Sequence, residues 1–239
     1  MTHQGSLTII AVAICCIFSY LFGIISWRYN IFPLSRLRAL FKHFKDAKDA
    51  PAYYQIKTSF FDLKSQTDHD IVFIGDSITD FSEWNELFPN SKIANRGISG
   101  DTTNGILNRM DSIYSTGAKK AFIMVGLNDF NSGFTELAVL RNYKSIVEKL
   151  VENGMNVFIQ STLLTANNLG NVNRKITELN KSLYSYSKTN NKLTFIDLNS
   201  TLSQSNTLNS KLTVDSIHLN GLGYAKWKEI IAPYIEKVN

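Results

Sequence analysis

Residues 71–80 read Ile-Val-Phe-Ile-Gly-Asp-Ser-Ile-Thr-Asp (IVFIGDSITD). Four apolar residues run straight into a glycine, an acid and a hydroxyl. A continuous Val/Ile/Phe run of this length suits a strand buried on both faces of a parallel sheet. Similar runs recur at Ala121–Val125, Val157–Ile159 and Leu193–Ile196, with a weaker one at Lys92–Ala94. Helical periodicity fills the gaps. Ile106, Leu107, Met110, Ile113 and Tyr114 share one face, as do Leu140, Tyr143, Val147, Leu150 and Val151, with Gly154 placed to cap the end. Val172, Ile176, Leu179, Leu183 and Tyr186 form a third stripe. Ala225, Ile230, Ile231, Tyr234 and Ile235 suggest a last helix, bent or ended near Pro233. A further helix is expected over 50–66. Strands alternating with helices predict an α/β fold: a three-layer α/β/α sandwich on about five parallel strands, with right-handed crossovers.

Upstream, Leu7 to Trp27 (LTIIAVAICCIFSYLFGIISW) holds no charged residue over 21 positions. At about 1.5 Å per residue, a helix of that length matches the ~30 Å hydrocarbon core of a bilayer. Trp27 and Tyr29 stand at its end, where amphipathic rings favour the interface. No Lys or Arg precedes the run and no A-x-A-type site follows, which argues against a cleaved signal peptide. The expectation is an N-terminal transmembrane helix, residues 1–27, followed by a basic juxtamembrane linker, 28–50, and a catalytic domain, 51–239. Arg28, Arg36, Arg38, Lys42, Lys45 and Lys48 follow the run, so the positive-inside rule places the domain in the cytoplasm, an exported face being the alternative. The segment 32–48 mixes Leu and Phe with basic residues, as a headgroup-binding stretch or a solvated linker does.

The net charge of +5 belongs largely to that appendage. Residues 1–50 hold six basic against two acidic residues, which leaves +1 for 51–239. A nearly neutral domain disfavours nucleic acid as a partner, because phosphate binding needs clustered Lys and Arg. Both cysteines, Cys15 and Cys16, lie in the apolar run, so the domain can form no disulfide, metal–thiolate site or cysteine nucleophile.

In open parallel α/β sheets, ligands sit beyond the carboxyl ends of the strands. Three polar loops open on that rim: Gly75–Thr79, Asn95–Asp101 and Gly126–Asp129. Ser77 is the candidate nucleophile, and it needs a base, usually histidine. The chain has four histidines. His3 precedes the apolar run, His43 is in the linker, and His69 lies at the wrong end of the first strand. His218 remains, in Asp215-Ser216-Ile217-His218, with a carboxylate three residues before it that can reach Nδ1 and hold the tautomer. A tetrahedral oxyanion needs fixed donors. The Asn128 amide, the Gly97 N–H and the Ser77 N–H are the candidates.

These residues make the chain resemble the SGNH (GDSL-type) hydrolases, in their bacterial esterase and platelet-activating-factor-acetylhydrolase-like branch. Four blocks stand in order: GDSI with Ser77, NRGISGDTT with Gly97, GLND with Asn128, and DSIH with Asp215 and His218. The resemblance covers roughly 70–235 and departs at Ile78, where leucine is usual. It implies a flavodoxin-like sandwich in which Ser77, His218 and Asp215 form a catalytic relay, and Ser77, Gly97 and Asn128 line the oxyanion hole. It implies no cofactor and no metal, and the domain's His and carboxylates show no metal-ligand spacing.

Plainer roles compete for several of these side chains. Ser77 and Asp215 suit caps, and Asn128 suits a turn. Asp76 and Asp129 are expected to bond loop amides. Asp101 reads as the N-cap of a helix starting near Thr102. Arg96 is divided between an ion pair at the sheet edge and a substrate contact. Leu127, Phe130, Leu163 and Leu164 line either an acyl pocket or the core. The second glycine of a G-x-S-x-G elbow is replaced by Thr79, which disfavours the α/β-hydrolase fold, and no Walker A or G-x-G-x-x-G loop occurs. The expected activity is a membrane-anchored serine esterase acting on short acyl or acetyl esters of a small molecule, glycan or lipid. Its rivals are an O-acyltransferase, a lysophospholipase or thioesterase using the same site, and a tethered module that only binds.

Overall fold

The computed structural model describes residues 52–63, 68–167 and 171–235, together with Ser19, Tyr20 and Phe22. The chain divides into two units, Met1–Ala52 and Tyr53–Asn239. In the first, Ser19, Tyr20 and Phe22 are helical and exposed. The remainder of the apolar run and the whole basic linker lie outside the described residues. Among the described residues, no helix is long and apolar enough to cross a membrane.

The second unit is built on five parallel strands: β1 (Ile71–Gly75), β2 (Ile93–Gly97), β3 (Lys120–Met124), β4 (Asn156–Gln160) and β5 (Leu193–Ile196). Their order is β2-β1-β3-β4-β5. This is the flavodoxin-like order, whose direction of progress reverses between β1 and β3. β1 is buried along its whole length because strands flank it and helices cover both faces. Side chains alternate between two cores. Val72, Ile74, Ala121, Ile123, Val157 and Ile159 face one; Ile71, Phe73, Phe122 and Met124 face the other. Each Val, Ile, Phe or Met among them, fully removed from water, contributes roughly 1.5–3 kcal/mol.

β2 runs further than its apolar stretch suggests, because Asn95, Arg96 and Gly97 pair in register with Phe73, Ile74 and Gly75 of β1. These three residues belong to the strand, and the rim loop starts at Ile98.

The first core is covered by α4 (Thr103–Leu107), α5 (Met110–Tyr114), α7 (Glu136–Glu152) and α8 (Val172–Ser187), the short α6 (Leu127–Asn131) lying between α5 and α7. The apolar face over 106–114 is divided between two helices rather than one. Arg109 leaves helical geometry (φ −125°, ψ 27°), and its guanidinium is buried against Asp101. α7 ends as expected, at Gly154 with φ +88°. The second core holds α3 (Trp84–Leu87), α9 (Asn199–Leu202) and α10 (Gly221–Ile235). α10 holds Pro233 in its last turn and runs to Ile235. Its buried centre is Trp227, whose Nε1–H donates to Gln160 Oε1 at 2.7 Å; Ala225 faces solvent. Stacked rings carry this core across the sheet, Trp84 on Phe73 at 3.8 Å and Phe122 on Phe158 at 4.5 Å. Before β1, α1 (Ala52–Phe61) is shorter than the expected span, and α2 (Ser77–Asp80) follows β1 directly.

Candidate active site

The strand-to-helix junction after β1 has little room. A Cβ at Gly75 would stand 2.5 Å from the Met124 carbonyl, so glycine is required there. Asp76 caps α2 by accepting the Ile78 N–H at 3.1 Å, which leaves Ser77 as the first helical residue instead of the cap. Ser77 lines the cleft at the rim and is 9% exposed.

His218 reaches it from the far end of the chain. Nε2 lies 2.8 Å from Ser77 Oγ, and Nδ1 lies 2.5 Å from Asp215 Oδ2. A carboxylate only accepts, so Nδ1 carries the proton and Nε2 is free to take one. The hairpin holding His218 is fixed by the Thr213–Leu219 bridge, by Thr213 Oγ1 donating to the His218 carbonyl at 2.7 Å, and by Ala166 N–H on the Ser216 carbonyl at 2.9 Å. Ser216 takes φ +81° at the bend. Asp215 also caps this turn, accepting the N–H groups of Ile217 at 2.9 Å and His218 at 2.7 Å through Oδ1. Partial desolvation opposes its ionisation, but the bonds from the His218 ring and the two amides outweigh it and hold its pKa at about 2.

The loop after β2 turns at Ile98–Asp101, where Asp101 N–H donates to the Ile98 carbonyl at 3.0 Å and Gly100 takes φ +80°. That is a type II turn, whose third residue needs positive φ. Gly100 and Ser99 line the cleft beside Ser77. Gly97 does not. Its N–H donates to Asn95 Oδ1 at 2.9 Å, and a Cβ on it would run into the backbone of Asp80. Gly97 therefore serves the close packing of β2 on α2, and the donor expected from it is already taken. From the other side of the switch point, Asn128 lines the same cleft. One hydrogen of its Nδ2 goes to the Asp101 carbonyl at 2.9 Å, which leaves the second for a ligand.

A buried polar layer supports this rim. Asp101 accepts from Arg109 Nε at 2.8 Å, so it forms an internal ion pair, and Thr102 is the residue that caps α4. Asp129 accepts from the N–H and hydroxyl of Thr103. Burial raises the pKa of both acids, most plainly against the pull of Arg109 at Asp101. Burial also pushes Asp76 up to about 7. Arg96 takes neither expected role. It donates to the Ser112 carbonyl at 3.0 Å and lies over the Phe61 ring, and burial and Arg109 lower its pKa to about 10.

The cleft measures about 270 Å³. Leu127 is on its wall, whereas Phe130, Leu163 and Leu164 belong to the cores. Ile78 and Ile217 line it too, as do Phe81 and Asn131, which the sequence pattern did not single out. The Phe81 ring centre is 5.2 Å from that of His218. Among the described residues, no group of three or more His, Cys, Asp or Glu is placed to hold a metal ion.

The sequence profile of the GDSL-like Lipase/Acylhydrolase family matches residues 73–226. No curated protein matches the chain significantly. Solved structures do. An acylhydrolase structure from Bacteroides fragilis NCTC 9343 is 29% identical, with a TM-score of 0.67 over 77% of this chain and 95% of that one. A GDSL-like lipase from Bacteroides thetaiotaomicron VPI-5482 is 26% identical, with a TM-score of 0.69 over 77% and 97%. A Streptococcus pneumonia structure named for platelet activating factor shares the fold at 24% identity, with a TM-score of 0.71 over 82% and 99%.

Proposed function

We propose, from the premise that this chain belongs to the GDSL-like lipase/acylhydrolase family and is an ester-hydrolysing serine hydrolase, that Ser77, His218 and Asp215 carry its reaction. The reading rests on one observation, the unbroken line from Asp215 Oδ2 through the His218 ring to Ser77 Oγ. Ser77 Oγ attacks the ester carbonyl carbon as His218 Nε2 takes its proton. The Asp215 carboxylate holds the ring and stabilises the imidazolium. The tetrahedral oxyanion is held by the Ser77 N–H, the Gly100 N–H and the free hydrogen of Asn128 Nδ2. Collapse breaks the bond to the alcohol, which leaves with the proton from His218. Water, deprotonated by His218, then releases the acid and frees Ser77.

A cleft near 270 Å³ is at the small end of ligand pockets and favours acetyl or other short acyl groups. The alcohol part projects outward past Phe81, and we assign it to a carbohydrate or lipid. The charge-free run of Leu7–Trp27 and the basic residues behind it support a single-pass anchor with the domain on the cytoplasmic side. Fluorophosphonate labelling that vanishes in Ser77→Ala, followed by turnover of p-nitrophenyl esters of graded length, tests the reaction. An unlabelled native chain would overturn it. Protease protection in intact cells tests the sidedness.

A further inference from the structure

The carboxylate of Asp80 closes α2, the helix that Ser77 opens, and its side chain is only 2% exposed. Three donors satisfy it. Lys57 Nζ stands 2.7 Å from Oδ1, while the Tyr53 hydroxyl at 2.6 Å and the Ser99 N–H at 3.1 Å donate to Oδ2. Lys57 and Tyr53 come from α1, which lies outside the family-matched residues 73–226. Ser99 precedes Gly100 in the turn at the cleft.

Type I and type II turns differ mainly by a flip of the peptide between their second and third residues. Here that peptide is Ser99–Gly100, and its orientation decides where the Gly100 N–H points. Asp80 fixes the peptide immediately before it by gripping the Ser99 N–H. A buried carboxylate holds such a grip only while its own charge is compensated. Lys57 supplies the compensating cation and Tyr53 a second donor. Desolvation and the bond to Asp80 raise the Tyr53 pKa to about 12, so its hydroxyl keeps its proton in the working range.

We propose that Tyr53 and Lys57 are positioning residues for the oxyanion hole: through Asp80 they hold the Ser99–Gly100 peptide so that the Gly100 N–H faces the cleft. The inference rests on the esterase reading above and deepens it. The segment in front of the family-matched domain becomes part of the catalytic apparatus without touching substrate.

The test uses the full-length chain with Tyr53→Phe, Lys57→Met, both together, and Lys57→Arg. Three quantities are read: kcat and KM for p-nitrophenyl acetate, competent sites titrated with a fluorophosphonate, and affinity for phenylboronic acid. The boronate adduct on Ser77 places an oxygen where the oxyanion forms. The double variant is expected to lose roughly ten- to a hundredfold in turnover per titrated site, with KM nearly unchanged. Boronate affinity should weaken in parallel, and Lys57→Arg should retain most of both. Native turnover per site and native boronate affinity in the double variant would overturn the proposal. A loss confined to the number of titratable sites would also overturn it, since α1 would then only stabilise the fold. A native chain that neither turns over ester nor takes the probe would overturn the esterase reading itself, and this inference with it.

Discussion

His218 Nε2 lies 2.8 Å from Ser77 Oγ across 141 positions of sequence. The distance is that of a well-formed hydrogen bond.

Replacing either partner should stop chemistry and leave the fold intact. Ser77→Ala and His218→Ala are each expected to lower p-nitrophenyl acetate turnover by about 10⁴-fold or more. Circular dichroism and Tm should stay near native, because neither side chain belongs to a core. Residual turnover within tenfold of native would reject the relay.

The two glycines of the NRGISG stretch should separate by experiment. Gly100 has no heavy atom within 4 Å of where a Cβ would sit, but φ +80° strains any other residue. Gly100→Ala should mainly lower kcat. Gly97→Ala forces a methyl into the Asp80 backbone and should mainly lower Tm. Asn128→Ala should cost about 10²–10³ in kcat as a lost oxyanion donor. The measurements are thermal melts and steady-state kinetics on the three variants, and a kcat loss at Gly97 with native Tm would reverse the assignment.

Asp215 is expected to stay ionised through the whole working range. Its native pKa of about 2 lies below the ordinary 3.8, so the stabilisation it brings is complete above about pH 4 and fades as pH falls through 2. Asp215→Asn should lower kcat about 10⁴-fold at pH 7 and 8 alike. A pH–rate profile of the variant checks this.

Asp76 behaves in the opposite sense. Burial raises its pKa from 3.8 to about 7, so the native state holds a proton that the unfolded chain has lost between those values. Stability should therefore decline as pH rises from about 4 to 7. Asp76→Asn keeps an oxygen for the Ile78 N–H but cannot titrate. Urea melts at pH 5 and pH 8 should show a smaller difference for the variant than for the native chain. An equal difference would place the titration elsewhere.

β1 and the meeting of Ser77 with His218 and Asp215 were legible in the sequence. Ile71–Ile74 is apolar throughout, and elimination among four histidines left His218 alone at the rim. β2 was only half legible. Asn95 and Arg96 look like loop residues, and their polar groups are satisfied by carbonyls of α2 and Ser112 that no local pattern reveals. The choice between Gly97 and Gly100 depended on which amide is already bonded, a fact of the folded turn. Asp101 resembled a cap because it precedes a helix, but Arg109, eight residues on, draws it into an ion pair. Trp227 escaped notice because α10 is apolar on several sides, and its buried partner Gln160 is 67 residues away.

The five-stranded sheet is complete at Ile196, while the imidazole enters only at residue 218. All five strands and Ser77 thus precede the His218 hairpin in the chain, and only α10 follows it. On the proposed mechanism, a polypeptide truncated before residue 218 would carry a serine hydroxyl with no base to activate it.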